Sequence, residues 1–95
     1  MAQTTILAAA QTAATSSDVT VAAGSVLTIG LFTSSGPVPS GVEIDVRIDT
    51  PGADNFVAKL THANQATVLT GPGTFRAYRR NIAAYGVNVG VYTEN

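Results

Sequence analysis

Gly41-Val42-Glu43-Ile44-Asp45-Val46-Arg47-Ile48-Asp49-Thr50-Pro51-Gly52 is the stretch that decides the fold class. Val42, Ile44, Val46 and Ile48 alternate with Glu43, Asp45, Arg47 and Asp49. A period of two sorts side chains onto the two faces of a strand, whereas a helix would scatter them around its circumference. Every apolar position is β-branched, which suits a pleated, half-buried strand. Thr50-Pro51-Gly52 ends the run with turn residues. The stretch reads as an antiparallel strand with Val42, Ile44, Val46 and Ile48 inward and a solvated charged face. The rest of the chain is expected to cover its apolar side.

Working outward, the neighbours repeat the theme. Strands are expected at 3–9, 18–21, 26–32, 54–61, 66–70, 74–80 and 86–93. Leu27, Ile29 and Leu31 share one face of the third of these, and Gly30 in its middle marks a close approach. Phe56, Ala58 and Leu60 are expected inward on 54–61, and Phe75 and Ala77 inward on 74–80. Ala8–Ala14 has a helix-compatible composition, but Thr and Ser surround it and a short lone helix is marginal. A strand and a small-residue loop are preferred there. Asn81 to Tyr85 is either loop or a single helical turn.

Seven or eight short strands with turn signals about every ten residues define an all-β, antiparallel β-sandwich. Jelly-roll and immunoglobulin-like arrangements both fit. The organisation expected is an N-terminal arm or first strand over 1–17 and one sandwich domain over 18–95.

Composition narrows the function classes. The chain has 95 residues, no cysteine, six acids, five bases and one histidine. Thiolate metal sites and disulfides are excluded, and the missing basic excess argues against nucleic acid as a partner. No run approaches the ~20 apolar residues of a membrane helix, and the first residues lack a basic leader, so a membrane is not an expected partner. A surface rich in Thr, Ser, Ala and Gly is buried against a partner at low entropic cost.

Candidate chemistry is sparse. His62 reads as a solvated turn residue with no convergent partners for base or metal work. Glu43, Asp45 and Asp49 are spaced about 6.6–7 Å apart along a strand, like paired glycosidase acids. Nothing supplies the desolvated cleft such a pair needs, and a solvated face is preferred. Asp49 and Asp54 flank a turn without the dense ligand spacing of a calcium loop. Gly71-Pro72-Gly73 is a turn, lacking the lysine and helix of a phosphate loop. No catalytic residue, metal site or cofactor is assigned.

The one notable cluster is Phe75-Arg76-Ala77-Tyr78-Arg79-Arg80. Arg76, Tyr78 and Arg80 share an outer face, and Arg79 reaches the other side at the strand's end. Three readings stand: an edge neutralised by Glu43 or Asp45 across the sheet, an anchor on an acidic protein surface, or nucleic-acid contact. Arg and Tyr are enriched among interface anchors, so Arg76, Tyr78, Arg79 and Arg80 are the candidate protein-interface residues. If this strand neighbours 42–49, the arginines are partly neutralised and the interface reading weakens.

Thr50-Pro51-Gly52-Ala53-Asp54, Gly71-Pro72-Gly73-Thr74-Phe75-Arg76 and Gly86-Val87-Asn88-Val89 carry a family likeness. From Val19 onward the chain resembles the small β-sandwich virion proteins of tailed bacteriophages, especially capsid decoration (cement) proteins. The resemblance implies a virion protein made in the host cytoplasm and present in many copies, as a homo-oligomer with the trimer favoured. It further implies a partner in the major capsid protein or another virion protein, with neighbouring capsid subunits clamped without catalysis. An arm over Ala2–Ser17 would order on contact with the capsid. The alternative is a tail-fibre or collar-associated module that binds carbohydrate or protein.

Overall fold

The stretch quoted at the outset is strand β5, and it lies inside a sheet. The computed structural model describes residues 3–95. Among them are β1 (Gln3–Ala10), β2 (Ala14–Thr15), β3 (Val19–Val21), β4 (Val26–Thr33), β5 (Glu43–Thr50), β6 (Ala53–Thr61), β7 (Ala66–Thr70), β8 (Gly73–Arg79) and β9 (Val89–Glu94). A single 3-10 turn, Ala83–Tyr85, occupies the segment read as loop or helical turn. The segment read as arm or first strand holds β1 and β2; its Met1 and Ala2 lie outside the described residues. Ala8–Ala14 forms no helix: Ala8 to Ala10 complete β1 against β9, and Ala14 opens β2.

The protein is an all-β sandwich of two antiparallel sheets. One runs β1-β9-β4-β7, the other β2-β8-β5-β6, with β3 also on β8. β2 and β3 lie end to end along β8, paired with Arg79–Tyr78 and Phe75–Gly73. Ser16 bridges the gap between them. Its amide donates to the Ala77 carbonyl at 2.8 Å, and its Oγ accepts from the Ala77 amide at 2.8 Å. Counting β2 and β3 as one broken strand, the pairs nest: β1 with β9, β2/β3 with β8, β4 with β7, β5 with β6. This is a jelly roll. An immunoglobulin sandwich would place its first two strands side by side in one sheet.

Ile29, Val42, Ile44, Val46, Leu60, Val89 and Val91 are fully buried between the sheets, joined by Leu31, Leu69, Phe75 and Ala77. The inward faces expected for β4, β5 and β8 are therefore the core. β6 departs from expectation at one point. Val46 pairs with Ala58, but the next pair is Arg47 with Phe56, so Val57 is an extra, bulged residue. A one-residue slip moves every following side chain to the other face. Leu60 is buried as expected, but Phe56, expected inward, lies opposite Arg47 on the outer face and is 58% exposed.

Gly30 bears out the close approach read from sequence, and Gly90 matches it. Gly30 faces Tyr92 and Phe32 faces Gly90 on alternate rungs of β4 and β9, with the Leu31–Val91 pair between them. A Cβ on Gly30 would stand 2.8 Å from the Tyr92 ring, and one on Gly90 2.5 Å from the Phe32 ring and 2.6 Å from the Leu7 carbonyl. Both rings lie flat over glycines.

Candidate functional site: two unlike sheet faces

The outer face and edge of the β5 sheet gather Asp18, Glu43, Asp45, Asp49 and Asp54 with Arg47, Lys59, Arg76 and Arg80. That is five of the six acids and four of the five bases. β5 and β8 are neighbours, with Arg47 opposite Arg76 and Asp45 opposite Tyr78. Like charges on adjacent strands require counter-ions, and Arg76 is the hub that receives them. Its Nε donates to Asp18 Oδ1 at 2.9 Å, and its Nη1 to Asp54 Oδ1 at 2.6 Å and Oδ2 at 2.7 Å. Asp49 lies 3.9 Å away.

The Tyr78 hydroxyl donates to Asp54 Oδ2, and the Arg47 guanidinium stacks 4.8 Å over the Tyr78 ring. The Tyr78 hydroxyl and then the Arg76 guanidinium hold the Asp54 carboxyl below its ordinary range. Asp54 in turn pushes the Tyr78 phenol up, and Asp18 and Asp54 strengthen the Arg76 cation. Lys59 pairs with Glu43 at 3.2 Å. Asp45 was expected on a solvated face, yet it is only 8% exposed. β6 and β8 flank it on either side, and Arg47 reaches it at 3.5 Å.

The four residues singled out from sequence fall into three environments. Arg76 and Tyr78 meet in the network just described. Arg80 is an exposed cation, 4.0 Å from Asp45. Arg79 is buried on the opposite side of β8. It donates through Nε to the Thr12 carbonyl at 2.7 Å and through Nη1 to the Ala8 and Val89 carbonyls at 2.8 Å each. Burial pushes its pKa down. It fastens the end of β8 to β1 and β9 in the other sheet.

Asp54 and Asp18 are the members that sequence reasoning did not place. Continued back from Phe56, Ala58 and Leu60, strict alternation would set Asp54 inward; the Val57 bulge puts it outward. A carboxylate at an inward phase, with no partner in sight, was the available signal that the phase breaks. Asp49 and Asp54, the two carboxylates that flank the turn, both face Arg76, at 3.9 and 2.6 Å. Among the described residues no three His, Cys, Asp or Glu side chains converge as metal ligands. His62 is exposed, and its Nδ1 lies 2.8 Å from the Val38 carbonyl, at a shallow cleft of about 300 Å³ that Ser40 and Glu43 also line.

The β9 sheet presents the contrasting face. Glu94 is the one charged side chain on its strands, and Gln3 Nε2 bonds it at 2.8 Å. Val26 and Val68 stand 62% and 58% exposed on β4 and β7. Thr28 stands opposite Val68 on one side and Glu94 on the other, and the Tyr92 and Phe32 rings lie over glycines farther along the same face. The result is a level, nearly uncharged surface. One face thus neutralises its charges internally, while the other has almost none to neutralise. A scan against protein-family models and searches of curated proteins and of solved structures each return no match.

Proposed function

We propose that the protein is a non-enzymatic virion structural protein, a jelly-roll decoration or cement subunit that binds the outer capsid surface and stabilises the head. The observation that carries this reading is the flat, nearly uncharged outer face of the β9 sheet. Laying it on another protein covers a single charge, Glu94, which Gln3 already bonds, and immobilises few long side chains, so two of the costs of protein contact stay small. The jelly roll itself is common to capsid and lectin domains and supports the reading only as context. The Arg76 network, by contrast, spends its charges within the chain, so the uncharged face rather than the arginine cluster is the contact surface favoured here.

The test is quantitative mass spectrometry and cryo-EM of purified particles from the source. Hundreds of stoichiometric copies, with the β9 sheet toward the shell, are expected. Absence from particles overturns the reading, and a handful of copies at the tail or collar replaces it with the binding-module alternative. Thr28→Glu, which sets a second carboxylate directly opposite Glu94 on the face, is expected to abolish attachment to undecorated shells while leaving the fold intact. Unchanged attachment moves the contact elsewhere.

A further inference from the structure

An open sandwich has four sheet edges, and unpaired edges invite another chain unless something guards them. Three of the four are guarded here. β1 is irregular against β9, and its Ile6 and Ala8 carbonyls are taken by the Ser17 amide and Arg79. The β2/β3 edge is broken at Ser16 into pieces of two and three residues. β6 carries the Val57 bulge, Asp54 and Lys59, and its Lys59 carbonyl accepts from Asn64 Nδ2 at 3.3 Å.

β7 has none of these devices. Ala66-Thr67-Val68-Leu69-Thr70 contains no charge, proline or bulge and pairs with β4 in unbroken register. The bonds Leu31 N–H to Gln65 O and Gly71 N–H to Ser25 O set the phase of that ladder. Residues 65, 67, 69 and 71 face β4, so the N–H and C=O groups of Ala66, Val68 and Thr70 point away from it.

We propose that β7 is a pairing edge for a second copy of this chain, joined antiparallel about a two-fold axis through Val68. In that register Val68 pairs with its own counterpart, and Ala66 with Thr70 of the other copy. All three outward amides and all three outward carbonyls are then satisfied. A two-fold axis sets each central residue against itself, so a charged edge would repel its copy. β7 and β4 carry no charge at all. Exposed Val26 and Val68 continue as one apolar stripe across the junction. This rests on the edge alone and stands whether or not the protein decorates a capsid. Paired strands about 17 Å long bury far less than the roughly 1,600 Å² of stable complexes, so the dimer dissociates on dilution, with a constant on the order of 0.1 mM.

The test is sedimentation velocity from about 10 μM to about 1 mM, a range that brackets weak association, with amide exchange measured at both ends. The wild-type mass is expected to double, and the Ala66, Val68 and Thr70 amides to slow with concentration. Val68→Lys sets cation against cation at the axis and is expected to remain monomeric. Val68→Pro removes an amide that β4 does not use, so it too is expected to remain monomeric with β4–β7 intact. Val57→Lys on β6 is expected to dimerise like wild type. A monomer throughout the range overturns the proposal. So does a trimer, a dimer in which those three amides exchange freely, or undiminished dimerisation of Val68→Lys.

Discussion

Replacing Arg79 by Met removes the guanidinium but keeps a comparable apolar stem. Three hydrogen bonds disappear, at 2.7, 2.8 and 2.8 Å. Bonds from a charged donor are worth about 1.5–3 kcal/mol each, a gross loss of roughly 4.5–9 kcal/mol. Several kcal/mol return because no cation has to be desolvated. Thr12 and Ala8 are exposed, so water can replace the donor at their carbonyls. Val89 is fully buried and its carbonyl loses a partner. The net expectation is a loss of about 2–4 kcal/mol, which at about 4–8 °C per kcal/mol for a chain this size lowers Tm by roughly 8–32 °C. Urea melts followed by far-UV circular dichroism read it directly, with an unchanged slope if only the folded state is affected. Arg79→Lys should recover less than half, because one ammonium cannot fork to three carbonyls. Arg80→Met, on an exposed side chain, should stay within about 0.5 kcal/mol of wild type. If Arg79→Met is as mild as Arg80→Met, the buried guanidinium does not hold the sheets together.

Four further outcomes follow from the same structure. Asp54 has a depressed folded pKa, so its contribution is present above the ordinary 3.8 and is lost as pH falls from there through the lower folded value; Asp54→Asn should flatten that acid limb of a pH–stability curve. Tyr78 has a raised folded pKa, so its bond stabilises fully below the ordinary 10.0 and fades as pH rises through the folded value; tyrosinate absorbance should show one late-titrating phenol that vanishes in Tyr78→Phe. Gly90→Ala should cost more than Gly30→Ala in thermal melts, by about 1 kcal/mol or more, because its Cβ meets the Leu7 carbonyl as well as a ring. Ser16→Ala strips the buried Ala77 amide of its acceptor and should cost about 1–3 kcal/mol by urea titration, with Ser16→Thr recovering part of it.

The alternation in 42–49 was legible because a half-buried central strand must segregate its side chains, and the same logic placed the inner faces of β4 and β8. It failed at β6 because a bulge changes the phase without any breaker residue: Asn55-Phe56-Val57-Ala58 contains neither Gly nor Pro. The candidate cluster was half legible. Arg76 and Tyr78 share a network, but their main partner, Asp54, sits 22 and 24 residues away, and the bulge turns it toward them. Periodicity put Arg79 on the other side of β8. Its role there was hidden, because three backbone carbonyls leave no mark in sequence. The choice between jelly roll and immunoglobulin-like sandwich turns on which distant strands pair, and local pattern carries no information about that.

The nested pairing has a kinetic consequence. β9 is last along the chain, yet it lies between β1 and β4, with Gln3 opposite Glu94 at one end of its ladder. During synthesis β4 and β7 can meet early, but β1 has no sheet partner until β9 emerges. Its side of the sandwich stays open while most of the core residues have already been made. Chains dominated by such distant pairings fold slowly, in milliseconds to seconds. For that interval Leu7, Ile29 and Leu31 lack their cover, and the chain's own final strand competes with other chains for the open ladder. Refolding yield should therefore fall with protein concentration more steeply than the stability of the finished fold would suggest.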